Sequence, residues 1–203
     1  MNGFLKRDFY LISASIRIYL LFIAAFGLLV VFTDMSSGFV MLYVAIFAMS
    51  SMTGLFNYDE FNHWTAYAAT VPNGRRDMVK ARYVLLLLVT AGVTVIQLLV
   101  GTLAREAGSL GTAALYSGMI LIYAAISMPV SYYFGGTKAR MVTVVLVAFV
   151  GGAAAIFGTF LNVSTQFGRV SLPPEFLSLP LVGLGLLAVS YRVSLGIMAK
   201  KEL

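Results

Sequence analysis

Residues 83–104 read YVLLLLVTAGVTVIQLLVGTLA, and residues 75–82 just before them read RRDMVKAR. The first string holds no charge and only one strongly polar side chain, Gln97. An α-helix needs about 20 apolar residues to cross the hydrocarbon core of a bilayer. Lipid offers the backbone no hydrogen-bond partner, so spanning segments are helices or closed barrels. Barrel strands alternate in polarity and are about half as long. A continuous run of this length therefore predicts a transmembrane helix with a basic flank at its start.

Five further runs have the same character. Together they place spans near Ser13–Phe32, Gly38–Phe56, Tyr83–Ala104, Ala113–Phe134, Met141–Leu161 and Leu177–Tyr191. The composition demands such a solvent: 60% of the 203 residues are hydrophobic, 11% are charged, and the mean hydropathy is +0.92. A water-facing domain carries roughly 25% charged residues.

The 14 basic residues sort by loop. Lys6, Arg7, Arg17, Arg75, Arg76, Lys80, Arg82, Lys138, Arg140, Arg192, Lys200 and Lys201 fall on one side, and only Arg105 and Arg169 on the other. The basic side of a membrane protein is the cytoplasmic one. The expected fold is all-α and polytopic: six transmembrane helices, both ends inside, in one domain spanning residues 1–203. Thr33-Asp34-Met35 makes a poor cleavage site, so the first span is expected to be retained. The net charge of +6 follows topology and is not read as a nucleic-acid surface.

Residues 1–12 read as an interfacial helix, with Met1, Phe4, Leu5, Phe9 and Ile12 on one arc. Lys6 and Arg7 lie off that arc, and Asp8 interrupts it. Residues 57–82 form the longest polar stretch. Tyr58, Phe61, Trp64 and Ala68 recur at helical spacing with Asp59, Asn62, His63 and Ala66 opposite, which predicts a short amphipathic helix. Val71-Pro72-Asn73-Gly74 then predicts a turn.

Within the spans, Gln97 seeks a partner across a helix interface or along a wet path. Met49, Ser50, Ser51 and Gly54 give the second span a soft, small-residue face. Pro129 predicts a kink, and Gly151–Ala155 is a strip of tiny side chains. Residues 162–178 form the longest outer loop.

Chemistry is scarce. There is no cysteine, and His63 is the single histidine. That leaves no thiol nucleophile and argues against a protein-only zinc site. The eight carboxylates fall outside the span centres, and no phosphate-loop motif occurs; Gly135-Gly136-Thr137-Lys138 lacks its spacing. The chain reads as a non-enzyme without metal or cofactor. If it moves a solute uphill, the energy must come from a partner.

The run Asn57-Tyr58-Asp59-Glu60-Phe61-Asn62-His63-Trp64, continued by Ala69-Thr70-Val71-Pro72-Asn73-Gly74-Arg75-Arg76-Asp77-Met78-Val79-Lys80-Ala81-Arg82-Tyr83, resembles the permease subunits of bacterial ABC exporters of the ABC-two class. Ser190-Tyr191-Arg192-Val193-Ser194-Leu195 and Lys200-Lys201-Glu202 are similar to the C-termini of that family. Asn73-Gly74 departs from the usual small apolar and Ser pair after the proline.

The resemblance implies a multi-pass protein of the bacterial cytoplasmic membrane. It implies a dimer with a second copy or paralogue, and a separate ABC ATPase subunit that holds ATP and Mg. The segment Tyr58–Ala68 becomes a coupling helix seated on that ATPase. Tyr58, Asp59, Glu60, Phe61, His63 and Trp64 would make the contact, with Pro72, Arg75 and Arg76 beyond the turn. Residues 1–12 become the elbow helix against membrane lipid, and 162–178 the outer cap. Gln97, Met49 and Ser50 are candidates for the translocation path or interhelical contact. An amphipathic or hydrophobic cargo fits, with antimicrobial or toxin-like peptides ahead of lipids and lipophilic drugs. A non-transporting immunity or scaffold protein of the membrane is the alternative with the same composition.

Overall fold

The computed structural model describes residues 3–13, 21, 24, 25, 37–103, 109–136, 138, 139, 141, 142, 144, 145 and 177–200. Most of the first and fifth expected spans, the Gly151–Ala155 strip and nearly all of the 162–178 loop lie outside them. Six helices are described. They are α1 (3–13), α2 (Ser37–Phe61), α3 (Trp64–Thr70), α4 (Gly74–Leu103), α5 (Ser109–Phe134) and α6 (Leu179–Lys200).

Three of these helices are long and apolar enough to cross a membrane: Gly74–Thr102, Leu110–Phe134 and Leu179–Lys200. α4 spans about 45 Å at 1.5 Å per residue, more than the roughly 30 Å core. Its surplus is the basic first turns. α5 continues through Pro129 to Phe134. α6 covers the sixth expected span but runs on to Lys200, well past Tyr191.

The stretch 57–82 differs from the sequence reading. Helix α2 does not stop at Phe56 but continues to Phe61. It breaks at Asn62-His63, where His63 adopts a left-handed φ of 51°. The Asn62 amide and its Nδ2 both donate to the Tyr58 carbonyl, at 3.1 and 2.9 Å. An asparagine bonding back to the preceding turn competes with helix continuation. Tyr58 and Phe61 therefore end one helix while Trp64 begins another, so there is no single helix over Tyr58–Ala68. α3 stops at Val71, which is extended (φ −91°, ψ 134°) because it precedes Pro72. The expected turn follows. Asn73 is left-handed at φ 58°, and a Cβ at Gly74 would strike the Ala68 carbonyl oxygen.

α5 and α6 pack in parallel, with α4 antiparallel to both. The α5–α6 seam closes on small residues: a Cβ at Gly118 would lie 2.9 Å from Leu179 Cβ, and one at Gly183 2.7 Å from Leu121 Cβ. Helices in lipid gain association from such close backbone approach. The core links α1, α2, α4, α5 and α6 through Ile12, Met52, Leu55, Met78, Leu86, Met128 and Leu187.

Candidate functional site

Five segments converge at one end of the bundle. Arg7 of α1 reaches Asp59 of α2, and a Cβ at Gly136 would lie 2.6 Å from the Asn57 nitrogen. Gly135, at φ 85°, sits against the Glu60 carboxylate. Arg75 Nη1 donates to the Met198 carbonyl of α6 at 3.4 Å.

At the centre of this end lie two arginines and two aspartates. Asp59 is 2% exposed, and its Oδ2 accepts from Arg82 Nη2. Its Oδ1 accepts from Arg7 Nη2 at 2.6 Å. Asp8 accepts from Arg7 Nε at 2.9 Å and Nη2 at 2.6 Å, and its Oδ2 lies 3.6 Å from Arg82 Nε. Arg82 is fully buried. Its Nη2 also contacts the Leu55 carbonyl at 3.4 Å, and its Cζ stands 4.0 Å over the Phe56 ring and 6.0 Å from that of Tyr132. Arg7 Cζ lies 4.5 Å over Trp64.

The set is formally neutral, which is why it can be buried: charges leave water only when paired and hydrogen-bonded. Guanidinium suits the position because it makes forked bonds and stacks on ring faces, which an ammonium cannot reproduce. Burial pushes the Asp8 carboxyl above its ordinary range, against the opposing pull of Arg82 and Arg7.

Two features of the cluster escaped the sequence reading. The apolar arc of α1 was placed through Phe9, yet Phe9 is 57% exposed, and the inward stripe is Phe4, Leu5, Asp8, Leu11 and Ile12. Asp8 is the centre of that stripe rather than a flaw in it. Arg82 was counted with the basic flank, yet it continues the buried stripe Met78, Val79, Arg82, Tyr83, Leu86. A charge in register with buried apolar neighbours was the available signal in both cases.

The residues singled out as partner contacts separate into two groups. Asp59 does not reach the surface, and Trp64 is half-buried beneath Arg7. Phe61 is 85% exposed, and Tyr58, Glu60, His63, Pro72 and Arg76 are exposed with it. Tyr67 of α3, which was not singled out, is exposed too and packs its ring on Trp64. Arg75 is half-buried on α6.

Of the path candidates, Gln97 is fully buried and Met49 packs against a cluster of Val44, Ala48, Val93 and Ile120. Ser50 is exposed beside a cavity of about 270 Å³ between α1 and α2. Among the described residues no three His, Cys, Asp or Glu side chains converge as metal ligands would.

Among the described residues, this end of the bundle gathers no metal-ligand set. It offers an exposed aromatic face, carried by α3 and the end of α2, on a charged and tightly tied base. A family model described as "ABC-2 family transporter protein" matches residues 3–199. No curated protein and no solved structure matches the chain.

Proposed function

The chain belongs to the ABC-2 transporter family as a membrane component, and on that premise we propose that it is the permease subunit of an ATP-driven exporter. A separate ABC ATPase binds the face formed by Tyr58, Glu60, Phe61, His63 and Tyr67, and the working unit holds two permease copies. The observation that supports this most is Phe61, which leaves 85% of its surface uncovered at a charged end of the bundle. Exposed aromatics clustered at one spot are the usual anchors of a protein interface. In this reading the charged end is cytoplasmic, consistent with the basic residues that flank it.

Transport then needs no chemical group in this chain. Closure of the ATPase pair biases a two-state arrangement of the helices. No charged residue occurs between Arg82 and Arg105 or anywhere in α5, so the path suits an amphipathic or hydrophobic cargo. Peptides are placed first among such cargoes on family resemblance.

The test is co-purification from membranes with the co-expressed ATPase. Truncating an interface anchor costs about 2 kcal/mol or more, or roughly 30-fold in affinity. Phe61→Ala combined with Tyr67→Ala is expected to lose the ATPase at that scale while the permease still inserts. Undiminished retention of the ATPase, and undiminished hydrolysis, would refute the docking face.

A further inference from the structure

Arg82 and Tyr83 are consecutive residues of α4 that grip opposite sides of the bundle. Arg82 bonds Asp59 and the Leu55 carbonyl of α2, approaches Asp8 of α1, and stacks on Phe56. The Tyr83 hydroxyl lies 2.7 Å from Ser190 Oγ and 2.8 Å from Ser194 Oγ of α6, and its ring meets Tyr191 edge-on at 5.2 Å. One turn of α4 therefore holds α1 and α2 on one side and α6 on the other.

The exposed α3 hangs between these grips. It leaves α2 through left-handed His63 and joins α4 through left-handed Asn73. Two such joints would act as hinges if nothing tied the flanking helices together, and a push on α3 would then be absorbed at them. The Arg82–Asp59 pair closes the loop across its base. Arg7 adds a second tie, because it bonds Asp59 and Asp8 and covers Trp64 at the start of α3.

Granted the permease reading above, we propose that Arg82 is a positioning residue for transport: its cluster with Asp59, Asp8 and Arg7 locks α1, the α2–α3 joint and the start of α4 into one rigid body, so that force received on α3 reaches α4 and, through Tyr83, α6. The role belongs to the tie and not to the docking face, so its loss should uncouple the ATPase without releasing it.

The chain has no native cysteine, so Tyr10→Cys and Lys80→Cys give one spin-label pair reporting α1 against α4. Both positions are exposed and lie outside the cluster. The labelled full chain, purified with its co-expressed ATPase in lipid nanodiscs, is measured with and without ATP and vanadate. With the native cluster, the label distance is expected to be narrow and unchanged by trapping. Asp59→Asn is expected to widen the distribution and to abolish permease-dependent stimulation of ATP hydrolysis, while the ATPase still co-purifies. A distribution as narrow as that of the native cluster, with full stimulation, overturns the proposal.

Should Asp59→Asn fail to assemble, Asp8→Asn gives the same reading through the longer 3.6 Å contact to Arg82, and an unchanged width and stimulation there overturn it equally. Failure of the native chain to retain any ATPase would instead overturn the permease reading, since label width is measured on the chain itself.

Discussion

The charged end of the bundle and the α5–α6 seam hold helices together by opposite means. At the charged end, side chains of α1, α2 and α4 meet through two arginines and two aspartates with rings stacked on the guanidinium groups. At the seam there is no charge. Gly118 and Gly183 let the backbones of α5 and α6 approach closely. The difference follows from what each device costs to disturb. A buried ion cluster fixes partners and register, since each charge must meet its opposite. A glycine seam only needs the neighbouring side chain to stay out of the way. The first suits a junction that must keep one geometry under load, the second a contact between long helices.

The largest effect should come from leaving a charge unpaired. Arg82→Ala leaves Asp59 and Asp8 to share Arg7, one negative charge in excess, and removing one partner of a buried pair costs about 3–5 kcal/mol. Thermal unfolding of the purified chain in detergent would read it as a large loss of stability. Replacing both members, with Arg82→Met and Asp59→Leu, should recover most of that loss, because apolar isosteres of a buried pair are often neutral or better. Stability would then return without the fixed register. If Arg82→Ala is no worse than an ordinary surface change, the two regions do not differ in the way described.

A smaller loss is expected at the seam. Gly183→Val puts a branched carbon against Leu121 Cβ, already 2.7 Å from where any Cβ would stand. Overpacking of this kind costs about 1–3 kcal/mol. Gly185 is the control, since a Cβ there meets nothing within 4 Å. Gly185→Ala should leave the unfolding temperature unchanged or raise it slightly, as alanine is the better helix former. Equal losses at Gly183 and Gly185 would mean that glycine serves no close approach in α6.

The seam and the charged end were not equally legible in the sequence. Long apolar runs with basic flanks marked α4, α5 and α6, because in lipid the solvent itself dictates length and polarity. Pro72 and Asn73-Gly74 marked the turn, because proline and a left-handed asparagine act locally. The break at Asn62-His63 was not legible. Trp64 and Phe61 keep helical spacing across it, and the periodicity of apolar residues does not register one residue that leaves the helix. The ion cluster was hidden for another reason. Its members stand at positions 7, 8, 59 and 82, and spacing along the chain says nothing of pairing between helices. Asp8 and Arg82 each sat on a stripe of buried neighbours, and a charge in that position is itself evidence of a hidden opposite charge.

Asp8 offers the finest test of the contrast, because it asks whether the cluster is governed by its arginines or by its burial. Burial is the larger influence and raises the Asp8 carboxyl above 3.8, with Arg82 and Arg7 pulling the other way. A carboxyl whose folded value is raised adds stability that is fully present below its unfolded value. That stability is lost as pH rises through the folded value. The comparison is the native chain against Asp8→Asn, with unfolding followed from neutral pH down past 3.8. If burial governs, the native chain gains relative to the variant on acidification, by a small margin beside the losses above. If the arginines govern, as the 2.6 Å bond from Arg7 would favour, the sign reverses and the native chain falls behind. The two signs separate an ionic lock from a buried polar contact that tolerates a proton. Only the ionic lock would make Asp8 as sensitive to acid as the seam is indifferent to it.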